Sequence, residues 1–181
     1  MTACGGGEQA TEQSDSTQAD TAQAEAEEPT EAPAEDAKKG YAQYEVAGYK
    51  ARSEAFEADE KNITIAYVAE ASDSPVRDIE ISASKLNDAS YLETGEAYQE
   101  YYKTMAANDK ATITSEEKEG KLVHYYTFED KMMGKAIRAE FLGKDNYALR
   151  LIIIEKSKGK LGEFGPLKAE LDKFVTEALK K

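Results

Sequence analysis

"YALRLIIIE" (147–155) is apolar without interruption at 151–154, inside a run rich in β-branched residues. A strand that shows one face to water alternates apolar and polar residues, whereas one covered on both faces does not need to. This stretch therefore reads as the central strand of a sheet. Working upstream, "KAIRAEFL" (135–142) is a second strand, joined to it by the turn "GKDN" (143–146). Before these come "KLVHYYTFE" (121–129) and "KATIT" (110–114), linked by the turn "EEKEG" (116–120). Earlier still, "ITIAYVAE" (63–70) and "IEISAS" (79–84) alternate at period two, and 41–56 is strand-like material broken at Gly48.

Twice the period changes. In "TGEAYQEYYKTMAAN" (94–108), Tyr98, Tyr101, Tyr102 and Met105 recur at i, i+3, i+4 and i+7, which predicts a helix with one apolar stripe. Downstream, Pro166 opens a second helix whose face is Leu167, Leu171, Phe174, Val175 and Leu179. Short turns between strands mean hairpins, so the expected class is α+β. A mainly antiparallel sheet of six to seven strands carries two packed amphipathic helices, over residues 40–181, after a disordered tail. The order of elements over 41–181 resembles the PsbP-like fold, an antiparallel sheet flanked by helices with which small lipoproteins are known.

Residues 1–39 differ in kind. Positions 1–37 carry ten acids and no base, so ten of the chain's thirteen net negative charges lie there. All eleven Tyr and all five Phe lie after residue 40. A segment with nothing large to bury cannot offset its ordering entropy, so the tail is expected to be disordered. The net charge of −13 opposes nucleic-acid binding, which needs Lys and Arg to displace counterions. No apolar run reaches the eighteen residues of a membrane-spanning helix.

Cys4 is the only cysteine, which excludes an internal disulfide. Thr2-Ala3-Cys4-Gly5 resembles the end of a bacterial lipobox, with Met1 standing where that family prefers Leu. The resemblance implies a leader upstream, cleavage before Cys4 and diacylglyceryl modification of its thiol, hence an extracytoplasmic protein anchored to the cell membrane. Two acyl chains, at ~0.8 kcal/mol per methylene, hold a protein stably where one does not. Thirty-six flexible residues beyond Cys4 would span roughly 30–36 Å on average.

Candidate chemistry is sparse. His124 is the only histidine, and an enzyme built on it would need a carboxylate such as Glu129 or Glu140. No nucleophile elbow, phosphate loop, calcium loop or zinc spacing is present, so no cofactor and no metal are expected. Tyr98, Tyr101, Tyr102, Tyr125 and Tyr126 could line a ligand groove, and Lys156, Lys158 and Lys160 could meet an anionic surface. The favoured expectation is a lipid-anchored body that binds a ligand or an envelope protein without catalysis. The alternatives are an envelope enzyme using His124, or a cytosolic adaptor with an acidic tail.

Overall fold

The computed structural model describes residues 41–58, 62–130, 132, 134–157 and 162–181, the side chains of 53–58 and 130 excepted. The expected tail, with Cys4, lies outside them. Seven strands form one antiparallel sheet: β1 Tyr49–Ala58, β2 Asn62–Ala69, β3 Val76–Lys85, β4 Thr112–Lys118, β5 Lys121–Asp130, β6 Gly134–Leu142 and β7 Tyr147–Glu155. Their spatial order is β1-β2-β3-β7-β6-β5-β4, which places β7 fourth of seven. The apolar run at 151–154 thus occupies the middle of the sheet, as its composition requires.

Two meanders build this order. Strands β1 to β3 follow one another at one side, and β4 to β7 return from the far edge until β7 pairs with β3. Helix α1, Gly95–Asp109, carries the chain between them, preceded by a 3-10 turn at Ser90–Leu92. Helix α2, Gly165–Leu179, follows β7. The β4–β5 hairpin turns on Glu119 and Gly120, both at positive φ (49° and 73°), the two-residue geometry that matches strand twist. Strand β4 therefore continues to Lys118, four residues beyond the expected limit at 114, and the turn shrinks to two residues.

Each face of the sheet has its own core. On one, Ile63, Ile65, Ile79, Ile81, Val123, Tyr125, Ile137, Phe141, Leu151 and Ile153 meet Leu167, Leu171, Phe174, Val175 and Leu179 of α2. On the other, Tyr98 and Tyr102 of α1 meet Leu92, Tyr126 and Ala148. The α2 face is as the apolar spacing predicts. The α1 stripe is narrower, because Tyr101 is 63% exposed and Met105 48% exposed. Buried contact follows the i, i+4 row Tyr98–Tyr102, while Tyr101 leans out to stack on Tyr91 at 4.3 Å.

One expected strand is not a strand. Ala42, Tyr44 and Val46 are buried alternately with exposed Gln43 and Glu45, yet 43–46 pairs with no strand. The segment is held from beneath: the Tyr67 hydroxyl accepts from the Tyr44 backbone N–H at 2.7 Å and donates to the Ala42 carbonyl at 3.1 Å. A side chain of β2 thus supplies what a strand neighbour would have supplied. Strand β1 begins only after Gly48, whose φ of 84° makes the turn.

Candidate functional site

Period-two alternation sends Arg138 and Glu140 of β6, His124 and Tyr126 of β5, Arg150 of β7 and Ser115 of β4 to the face covered by α1. Register then aligns them. Ser115 stands opposite His124, His124 opposite Glu140, and Glu140 opposite Arg150; Ser82 and Thr64 continue the line on β3 and β2. One polar row crosses six strands.

Glu140 is its hub. The side chain is fully buried, and its Oε1 accepts from the Tyr91 hydroxyl at 2.8 Å and from Arg150 Nη2 at 3.2 Å. Its Oε2 accepts from the hydroxyls of Tyr98 and Tyr102, both at 3.1 Å, with Arg138 Nε at 3.7 Å. Three phenols and two guanidinium groups therefore converge on one carboxylate, from the 3-10 turn, α1, β6 and β7. Such convergence ties α1 to the sheet through charge-assisted bonds. Burial, and then the charge of Glu140, pushes the Tyr91 and Tyr98 hydroxyls well above the ordinary phenol range and Tyr102 to about 12. All three remain donors at neutral pH.

Arg138 Cζ lies 4.2 Å from the Tyr102 centroid and 4.5 Å from that of Tyr126, two rings inclined at 64° to each other. These two cation–π contacts offset part of the cost of its burial. Among the described residues its Nε and Nη2 find no hydrogen-bond partner, nor does Arg150 Nε.

His124 is completely buried and stacks on the Tyr98 ring at 4.3 Å and 5°. Its Nε2 lies 3.1 Å from the Leu92 carbonyl oxygen, which can only accept, so Nε2 carries the proton. Nδ1 then accepts from the Ser115 hydroxyl at 2.8 Å. Burial holds its pKa below the usual histidine value, so the ring is neutral at pH 7. Both nitrogens are committed, one to the turn that carries Tyr91 and one to the edge strand. Gly95 permits this arrangement, since a Cβ there would stand 3.0 Å from Ser115 Oγ.

The tyrosines considered for a groove do not share one. Tyr98, Tyr102 and Tyr126 belong to this cluster, Tyr126 donating to Asp109 at 2.8 Å. Tyr101 is exposed, and Tyr125, next to Tyr126 in a strand, faces α2 and donates to Asp172 at 2.6 Å. Glu129 is exposed and pairs with Lys135 at 3.5 Å. Lys156 is exposed; Lys158, Lys160 and Cys4 lie outside the described residues. Arg138, Arg150, Tyr91 and Ser115 escape a reading of the sequence, and only the charged alternation Arg138–Glu140 in a covered strand signals them. Among the described residues no cluster of His, Cys, Asp and Glu could hold a metal ion, and no helix is long and apolar enough to cross a membrane.

A separate cavity of about 340 Å³ opens on the α2 side, at the end of the sheet where β6 turns into β7. Tyr41, Tyr44, Leu149 and Ala178 supply its apolar walls, with Lys121, Lys144 and Lys181 around them. The volume is within the range of small-molecule sites. Comparison with protein-family models, curated proteins and solved structures finds no match for the chain.

Proposed function

We propose that the chain is a lipid-anchored extracytoplasmic bacterial protein whose body binds a ligand without transforming it. The anchor is assigned to Cys4, and the acidic residues after it serve as the tether. An acidic tether is repelled by anionic lipid and so keeps the body clear of the bilayer. The observation that carries the binding reading is the 340 Å³ cavity, which combines apolar walls with three ammonium groups. His124 favours binding over catalysis, because a general base needs a free nitrogen within reach of substrate and both of its nitrogens are bonded inside the core.

The test of the anchor is detergent-phase partitioning in a bacterial host, using the gene with its own upstream sequence. Wild-type protein is expected in the detergent phase and Cys4→Ala in the aqueous phase. Equal partitioning of the two would remove the anchor and leave the acidic-tail adaptor as the better account.

A further inference from the structure

We infer that the cavity at the β6–β7 turn takes an anionic amphiphile. A carboxylate or phosphate head is held by Lys121 and Lys144, and an apolar chain lies against Tyr41, Tyr44 and Leu149. The inference rests on the reading of the body as a binding module and names the ligand class.

The charge pattern at the rim decides the sign of the ligand. Lys118, Lys168, Lys173 and Lys180 each stand within 4 Å of an acid. Lys121, half-buried at the start of β5, and Lys144, exposed in the turn, have no acidic partner among the described residues. Lys181 is already placed, with Nζ donating to the Gln43 carbonyl at 2.7 Å and lying 4.7 Å from the Tyr44 ring centroid. It fixes the wall and adds positive potential. Asp145 stands in the same turn, but its carboxylate accepts from the Tyr41 hydroxyl at 2.5 Å, and its backbone carbonyl accepts from Lys85. Two cations without counterions among the described residues therefore border an apolar recess in a protein whose net charge is −13.

The apolar walls decide the rest. Tyr41 stacks on Tyr147 at 4.3 Å and so presents a fixed ring face. Leu149 is held by Gly143, where a Cβ would stand 3.0 Å from Leu149 Cδ1. An inorganic anion would leave these surfaces unused, and a neutral hydrophobe would leave the two ammonium groups without a partner. A nucleic acid would need a far larger basic surface against the acidic whole. A single head group with an apolar chain satisfies both halves of the cavity.

The test uses the soluble Cys4→Ala chain and four probes at 0.15 M salt: decanoate, decyl phosphate, decanol and acetate. Calorimetry supplies affinities, and amide chemical shifts locate the site. Decanoate or decyl phosphate is expected to bind at least about tenfold more tightly than decanol or acetate, as charge-assisted hydrogen bonds imply. The tighter of the two distinguishes a carboxylate from a phosphate source. Shifts should gather at 41–46 and 143–149. The variant Lys121→Gln/Lys144→Gln should weaken the anion about tenfold or more, with decanol binding and melting temperature unchanged. Decanol binding as tightly as decanoate would overturn the anionic class while leaving a binding body. Shifts elsewhere, or no binding by any probe, would overturn the cavity as the site, whatever the partitioning of Cys4 shows.

Discussion

Replacing Glu140 by Gln keeps the shape of the hub and removes its charge. The carboxylate accepts four hydrogen bonds, at 2.8, 3.1, 3.1 and 3.2 Å, and forms an ion pair with Arg138 at 3.7 Å. A glutamine carbonyl placed at the Oε2 position retains Tyr98 and Tyr102. Its amide nitrogen then faces the Tyr91 hydroxyl, which can turn to accept, and Arg150 Nη2, which cannot. Arg138 and Arg150 lose their shared counter-charge. Removing one partner of a buried ion pair costs about 3–5 kcal/mol. The Arg150 side chain is 42% exposed and can turn toward water, so the lower end, about 3 kcal/mol, applies. For a body of this size that corresponds to a melting temperature lower by roughly 6–12 °C. Urea titration at pH 7 reads it through tyrosine fluorescence and circular dichroism, since the chain has no Trp. The double variant Glu140→Gln/Arg150→Gln should be less destabilised than the sum of the singles, with a coupling of roughly 1–3 kcal/mol. A loss below about 1 kcal/mol for Glu140→Gln, with no coupling, would refute the hub.

Histidine 124 gives the cluster a pH dependence. Its folded pKa is lowered by burial, so the unfolded chain binds more protons as pH falls past the unfolded value of about 6.5. Its stabilising contribution is complete above that value and declines toward the folded pKa. The stability advantage of wild type over His124→Gln should therefore shrink between pH 7.5 and 5.5 in paired urea titrations, and an advantage that grows over that range contradicts the assignment. Gly134 has φ of 87°, and a Cβ there would lie 2.0 Å from the buried Glu155 carboxylate, which accepts the Lys135 N–H at 2.9 Å. Gly134→Ala is expected to lower stability by about 2 kcal/mol or more, measured by thermal unfolding. Phe174→Ala opens the α2 core beside Tyr49 and Tyr67, whose rings lie 4.9 and 5.1 Å away, and should cost about 3–5 kcal/mol in the same assay.

How far the sequence foretold this molecule depends on the range over which each signal acts. The middle position of β7 and the buried face of α2 were legible, because continuous apolar character and an i, i+4, i+7 row are local consequences of burial. The segment 41–47 was not, since burial at period two looks the same whether the neighbour is a strand or the hydroxyl of Tyr67. Tyr101 and Met105 belong to the apolar stripe by spacing yet lie exposed, because periodicity defines a face but not its width. His124 and Glu140 could be named from composition alone, but their alignment with Ser115 and Arg150 is a product of register across four strands. Pairing of residues 9 to 16 positions apart leaves no spacing signal. Strand alternation, applied one residue at a time, would have separated Tyr125 from Tyr126.

The proposed anchor at Cys4 is tested by the mass of the N-terminal peptide of protein expressed in a bacterial host from the gene with its own upstream sequence. The expected peptide begins at Cys4 and carries a diacylglyceryl group on the thiol. A peptide that retains Thr2 and Ala3 before an unmodified Cys4 would contradict it.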